Sequence, residues 1–398
     1  MAENKEKKVL NVPNLRFPEF EGEWEEERLS DIADLSKGIG ISKDQLSADG
    51  EPCILYGELY TKYKSETIKE VISKTNIDNT KLVKSKANDV IIPYSGETAE
   101  EIATARCVLK DDVLLGGDLN IIRLHGYDGS FMSYQLNGKR KYDIAKVAQG
   151  VSVVHLYGEH LKNIKTINPG LNEQKKIANL LSLLDERIAT QNKIIDKLQS
   201  LIKGISNRLL YADNSMSIRI EEMLIERSER TKKNNQYEIL SSTVNGIFSQ
   251  RDYFSKDIAS DNNVGYKIIH LHDIVLSPQN LWMGNINFND KFDIGIVSPS
   301  YKVFSIADGF DKKYVAALLK THHALYNYML VSEQGASTVR RNLNYEAFEQ
   351  LVFKIPSLNK QQEIGHVISL LKSQLENANL LIKTYNSQKQ YLLRQMFI

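Results

Sequence analysis

The feature that most narrows the folds open to this chain is a repeat. "LNEQKKIANLLSLLDERIATQNKIIDKL" starts at Leu171 and "LNKQQEIGHVISLLKSQLENANLLIKTY" at Leu358, each two residues beyond a proline, Pro169 or Pro356. The offset between the copies is 187 residues. In the first copy, Ile177, Leu181, Leu184, Ile188, Ile195, Leu198, Ile202, Ile205 and Leu209 recur in steps of four and three, with Gln191 filling the one missing place. In the second, Ile364, Ile368, Leu371, Leu375, Ala378, Ile382, Tyr385, Lys389, Leu392 and Met396 do the same. Such spacing puts every residue of a set on one seam of a helix. At about 1.5 Å per residue, the seam from Ile177 to Leu209 is roughly 50 Å long. Two matched seams in one chain predict that the helices pair with each other, parallel or antiparallel. Gln191 and Lys389 put polar groups in the seam at different levels, where a polar residue can fix register.

The duplication extends upstream of the helices. Gln149-Gly150 matches Gln334-Gly335, and Ser152 matches Ser337. "KANDVIIPYSGE" from Lys86 echoes "HLHDIVLSPQNLWMGN" from His270, an apolar run that ends in a proline turn. A short helix is expected in each half, over "DGSFMSYQLNG" and "GFDKKYVAALLK". The fold class read from this pattern is α+β, a tandem duplication of two mixed strand-and-helix globules, each followed by a long helix, with the helices paired as a coiled coil. The expected boundaries are an N-terminal extension 1–23, a first globule 24–168, a central helix 169–211 and a linker 212–217. A second globule then covers 218–355 and a C-terminal helix 356–398. The start of the second globule, "IRIEEMLIERSERTKK", matches "RLSDIADLSKGIG" only in rhythm.

Length and composition allow two or three ordinary globular domains, with 42% hydrophobic and 25% charged residues. No apolar run reaches membrane-spanning length, and "MAENKEKKVLNVPNLRFPEF" lacks the apolar core of a signal peptide. Two cysteines, Cys53 and Cys107, speak against a disulfide framework and a cysteine-based zinc site, so a cytoplasmic setting is expected. The net charge of +1 neither requires nor excludes nucleic acid.

Motifs for chemistry are missing. The one Gly-Lys pair, Gly138-Lys139, runs into Arg140 without the upstream glycine of a phosphate loop. Gly38-Ile39-Gly40 continues into Ser-Lys-Asp, not into a dinucleotide fingerprint, and no proline is followed by Asp to open a nuclease core. "IPYSG" at Ile92 lacks the Asn and second Pro of an amino-methyltransferase loop. Adjacent His322 and His323 make a poor metal pair, and no metal site is expected. The chain reads as non-catalytic.

Two globules, each followed by a helix that opens P-x-L-N-x-Q-x-x-I, resemble the specificity subunit of type I restriction–modification enzymes. The N-terminal "NVPNLRFPEFEGEW" followed by "RLSDIADLSKG" adds to the likeness, which covers the full chain. The resemblance implies that each globule is a target recognition domain for one half of a split DNA sequence. It implies that the paired helices set the gap between half-sites and dock two methyltransferase subunits. Restriction subunits would join to cleave unmodified DNA with ATP. This chain would bind no cofactor itself, and S-adenosylmethionine, ATP and Mg2+ would come through the partner subunits.

Phosphates are held by Lys, Arg and hydroxyl groups, and base edges are read by Arg, Lys, Asn and Gln. On that basis the DNA-binding candidates in the first globule are Tyr94, Ser95, Lys139, Arg140, Lys141, Gln149 and Ser152. In the second they are Asn280, Trp282, Gln334, Ser337, Thr338, Arg340 and Arg341. Q-G-x-S also suits a glycine turn with a serine cap. A different class of function stays open on the residues alone, a duplicated coiled-coil adapter that assembles partners without reading DNA.

Overall fold

The computed structural model describes residues 10–150, 153–209, 215–253, 262–334 and 341–398. They form two compact units, Met1–Asn192 with Leu380–Ile398, and Lys193–Asn379. Each long helix contributes to both.

In the first unit, strand Glu25–Arg28 pairs antiparallel with Lys165–Asn168, and a single helical turn, Leu29–Ile32, leads into strand Ala33–Lys37. That strand edges a five-stranded sheet, followed in space by Leu119–Leu124, Asp89–Pro93, Arg106–Val108 and Thr67–Ile68. A second five-stranded sheet contains Glu51–Ile54 and Leu114–Leu115. The central strands are deeply buried, as in Asp89–Pro93, where all five residues are buried. Such strands are covered on both faces.

The second unit repeats this plan. Met216–Arg219 pairs with Val352–Ile355, a turn Ile220–Met223 follows, and Leu224–Glu226 edges a sheet of Lys302–Ile306, Ile274–Leu276 and Ile286–Phe288. The first of these strands begins at Met216, inside the stretch 212–217 read from sequence as linker. "RIEEM" is the counterpart of "RLSDI". In both, an arginine precedes the turn and its backbone N–H is taken by the acid three residues on, Asp31 or Glu222. The likeness of rhythm was a likeness of structure.

The echo of "KANDVIIP" in "HLHDIVLSP" has a physical basis as well. Asn88 and His272 both take a left-handed backbone, with φ of 85° and 76°. The following aspartate accepts the backbone N–H three residues back, Asp89 from Lys86 and Asp273 from His270, at 2.8 Å each. Asp89 is then gripped by Arg123 at 2.9 and 2.7 Å, and Asp273 by Arg227 at 2.9 Å.

The short helices Gly129–Asn137 and Lys312–Leu318 start at Asp128 and Asp311, whose side chains cap Phe131 N and Tyr314 N at 2.8 Å. These caps are where the glutamine of the repeated motif acts. Gln174 accepts from Asp128 N at 2.9 Å and donates to Pro169 O at 2.7 Å. Gln361 accepts from Asp311 N at 3.0 Å and donates to Pro356 O at 2.9 Å. Each side chain locks a long helix to the globule that precedes it. Gly365 permits this closeness in the second copy, since a Cβ there would stand 2.3 Å from Asp311 Oδ1.

The long helices span Leu171–Leu209 and Leu358–Gln395. Among the described side chains, every seam position named from sequence is buried or half-buried, including Ile195, Leu198, Leu371 and Ile382. In the first unit, Ile177, Leu181, Leu184 and Ile188 share a core with Tyr385, Leu392 and Met396. In the second, Ile205 packs on the core that holds Ile364 and Ile368. The start of one helix thus meets the end of the other in each unit, so the pairing is antiparallel.

Lys389, the misfit of the seam, is only 9% exposed and lies 2.5 Å from Glu66 Oε2 and 2.6 Å from Asp185 Oδ1. Asp185 Oδ2 also accepts Tyr134 OH at 2.7 Å and Ser65 Oγ at 2.9 Å. Burial pushes the Glu66 carboxyl up, and the charge of Lys389 pulls it back. Gln191 is buried too. The N-terminal peptide joins the same unit. Arg16 grips Glu173 through two 2.8 Å bonds, Leu15 N donates to Gln395 O at 2.9 Å, and Trp24 is buried in the shared core.

Candidate nucleic-acid interface

Tyr94 leaves the sheet just after Pro93, tied by its N–H to Asp118 O at 2.6 Å and by its carbonyl to Leu156 N at 2.8 Å. Ser95–Gly96 pairs with Val154–His155, and Gln149 exchanges two backbone bonds with His155, at 2.9 and 2.7 Å. The sheet end thereby gathers Tyr94, Ser95 and Gln149 at one place. Gly150 is required in this hairpin, because a Cβ would lie 2.0 Å from Val153 O and φ is +131°.

Three further residues, unremarked in the sequence, complete the cluster. The Tyr94 ring meets Tyr157 edge-on at 5.5 Å and His155 at 5.8 Å, and Lys37 Nζ sits 3.4 Å from its centroid. His155 Nδ1 lies 3.1 Å from Ser95 Oγ. Desolvation, then Tyr157 and Asp118, raises the Tyr94 pKa, so its hydroxyl keeps its proton and stays a donor. Ser95 is buried and serves the hairpin.

The basic run lies elsewhere. Arg140 donates to Ile398 O at 3.1 Å and faces Asp143 at 3.4 Å. Lys139 and Lys141 line a cavity of about 470 Å³ together with Arg106 and Arg394. The structure places all three by the tail of the second long helix and not with Tyr94.

In the second unit the candidates come together more fully. Asn280 opens the turn Leu281–Met283, which ends at Gly284 with φ of +91°. The Arg341 guanidinium stacks 4.6 Å from the Trp282 ring, and its backbone N–H reaches Gln279 O at 3.2 Å. Strand Ser332–Gln334 pairs with Arg341–Leu343 and sets Gln334 opposite Arg341. Gln149 opposite His155 and Gln334 opposite Arg341 are thus the same hairpin in two units. Arg341 Nε is buried and has no hydrogen-bond partner among the described residues. The turn rests on a buried amide lock, with Asn285 and Asn287 bonded to Ser242 at 2.8 and 2.7 Å. Ser152, Ser337, Thr338 and Arg340 lie outside the described residues.

Among the described residues, no group of His, Cys, Asp and Glu could hold a metal ion, and no helix is long and apolar enough to cross a membrane. Stacked aromatics beside cations, raised on paired strand ends, suit flat polar partners such as nucleobases and phosphates.

The family described as the type I restriction modification DNA specificity domain matches residues 21–200. Those residues, a little under half of the chain, are similar to that domain. The chain is 29% identical over 206 residues to the "Type I restriction enzyme MjaVIII specificity subunit" of Methanocaldococcus jannaschii. The match covers 52% of the chain but only 45% of that relative, so the chain aligns with about half of its length. The fold is similar to the crystal structure of a type I restriction–modification system S subunit from M. genitalium, with a TM-score of 0.64 at 16% identity. That likeness covers 97% of this chain and 99% of the other. The family match stops at residue 200, while the structural likeness takes in nearly the whole chain, including the second unit.

Proposed function

We propose that this chain is the non-catalytic specificity subunit of a type I restriction–modification complex, acting in the cytoplasm. Each globule reads one half of a bipartite DNA target, and the paired helices set the spacer between them. The observation that carries this reading is the duplicated hairpin beside a proline-ended strand. It holds Tyr94 with His155 and Lys37 in one unit and Trp282 with Arg341 in the other. The same scaffold presents different side chains, as two readers of different half-sites require.

Two methyltransferase subunits dock on the helices, and restriction subunits join them for ATP-dependent cleavage of unmodified DNA. Duplicate docking is supported by apolar residues that stay exposed at matching places, Leu171 with Leu358 and Leu183 with Leu370, between 38% and 52% open. S-adenosylmethionine, ATP and Mg2+ enter with those partners, which carry the bond-making and bond-breaking.

The deciding experiment exchanges residues 24–165 for another such domain and maps methylation by the assembled complex. One half of the methylated site should change and the other stay as it was. A change in both halves, or in neither, rules out two independent readers. Within the second reader, Arg341→Ala should lower affinity for the cognate duplex about tenfold to a hundredfold while sparing nonspecific binding. The duplicated-adapter reading predicts no effect of this substitution on duplex binding.

A further inference from the structure

The buried ionic cluster of the first unit has no copy in the second. At the helix offset of 187, Asp185 becomes Lys372 and Lys389 becomes Ile202. On the short helices, aligned through Asp128 and Asp311, Tyr134 becomes Ala317 and Asn137 becomes Lys320. An internal carboxylate, its tyrosine donor and its lysine partner are thus replaced by a lysine, a small residue and an apolar one, while a second lysine, Lys320, stands where Asn137 bonds Ala105 in the first unit.

The place is a cavity of about 340 Å³, lined by Lys203, Ser206, Lys320, His322 and Lys372, with Ile202 and Leu375 as apolar walls. Among the described residues, no carboxylate lines it. Asp290 and Glu376 act on Lys372 from outside the lining, and Glu376 is shared with Lys291 at 3.9 Å. Burial, and then the charge of Lys372, pull the Lys320 pKa down to about 8. Lys372 is exposed overall, yet desolvation lowers its pKa as well, and the charges of Asp290 and Glu376 pull it back up. Lys320 is held by Gly284 O at 2.7 Å and Val244 O at 3.3 Å, so it cannot swing away from its neighbour without losing both bonds.

Like charges that converge on a cavity with no carboxylate in its described lining destabilise each other, and such a cavity favours an anion from outside. We infer that the cavity between Lys203, Lys320 and Lys372 is a binding site for a phosphate group, which takes the place that the Asp185 carboxylate fills in the first unit. The donors are three ammonium groups, the Ser206 hydroxyl and the His322 ring, a set that suits a tetrahedral oxyanion. Lys320 also bonds the carbonyl that ends the Trp282 turn, so an occupied site would brace the second reader.

The inference does not depend on the DNA reading, because inorganic phosphate alone tests it. Phosphate at pH 7, against chloride at equal ionic strength, should raise the thermal midpoint of the full chain by about 2–4 °C. Lys372→Met should abolish the rise. Lys372→Asp should raise the midpoint without phosphate and remove the response, since it restores a carboxylate in place. No phosphate-specific rise in the wild type, or a Lys372→Asp variant less stable than the parent, overturns the site.

Duplex binding by the assembled complex distinguishes the source of the phosphate. If it belongs to the DNA backbone, Lys372→Met lowers the salt slope of binding by about one. If it belongs to a free phosphate-bearing molecule, the slope is unchanged while the phosphate response is lost. Impaired assembly with the methyltransferase subunit, without any phosphate response, means that a partner's carboxylate fills the cavity, and the inference falls.

Discussion

Lys389→Met should destabilise the first unit by about 3–5 kcal/mol, far more than an ordinary substitution on a helix seam. Methionine matches the length and bulk of the lysine stem, so packing is nearly preserved. What disappears is the only ammonium within 4 Å of Glu66 and Asp185 among the described residues, and each carboxylate is 8% exposed. Two carboxylates are then left in low dielectric, with Tyr134 OH and Ser65 Oγ as donors to Asp185 and only the buried Arg106 charge acting on both from further off. Adding Glu66→Gln and Asp185→Asn to Lys389→Met should recover most of the loss, because a buried charge cluster costs more when broken than when removed whole.

Acidity gives an independent check on the sign. Burial already holds the Glu66 pKa above its ordinary value, and loss of the Lys389 charge sends it higher. A carboxyl raised in the folded state destabilises once pH passes its unfolded pKa and is neutral below it. The gap between variant and parent should therefore be widest near pH 7 and shrink towards about pH 4. Urea unfolding at the two pH values measures it, and a gap under about 1 kcal/mol at pH 7 would show that the cluster is solvated.

Gln174→Leu and Gln361→Leu should each cost about 2–4 kcal/mol, and by similar amounts, because the two side chains do the same work in different units. Both are almost fully buried, at 1% and 3% exposure. Leucine fills the space but leaves an aspartate N–H and a proline carbonyl without partners. The two tryptophans report the effects separately, Trp24 from the first unit and Trp282 from the second. With the other tryptophan replaced by Phe, Gln174→Leu should shift only the Trp24 transition and Gln361→Leu only that of Trp282. Costs that differ severalfold would mean that one of the locks is dispensable.

The helices and the duplication were legible because heptad spacing survives in linear sequence and the offset between copies drifts by only a few residues, from 187 in the helices to 185 at Gln149 and Gln334. Direction of pairing was not, since both directions bury the same seam positions. Lys389 looked like an irregularity because its partners, Glu66 and Asp185, are far away in the chain. The hairpin residues Gln149 and Gln334 and the aromatic at each strand end were found by repetition, and the fold does gather them. Lys37, His155 and Tyr157 escaped notice because a cation–aromatic cluster built from separate strands leaves no local pattern. Lys139, Arg140 and Lys141 drew attention as a run of charge, which marks exposure and says nothing of which surface it lies on.

The glutamine joint has a consequence for how such chains diversify. Apart from the capping aspartate, the side it grips is main chain, one amide and one carbonyl, so the joint is blind to most of the globule's own side chains. Any globule that ends in the same proline and offers a helix start at the same spot can be plugged onto either helix. The long helices then behave as a socket, and the globules as cartridges that can be exchanged without rebuilding the seat.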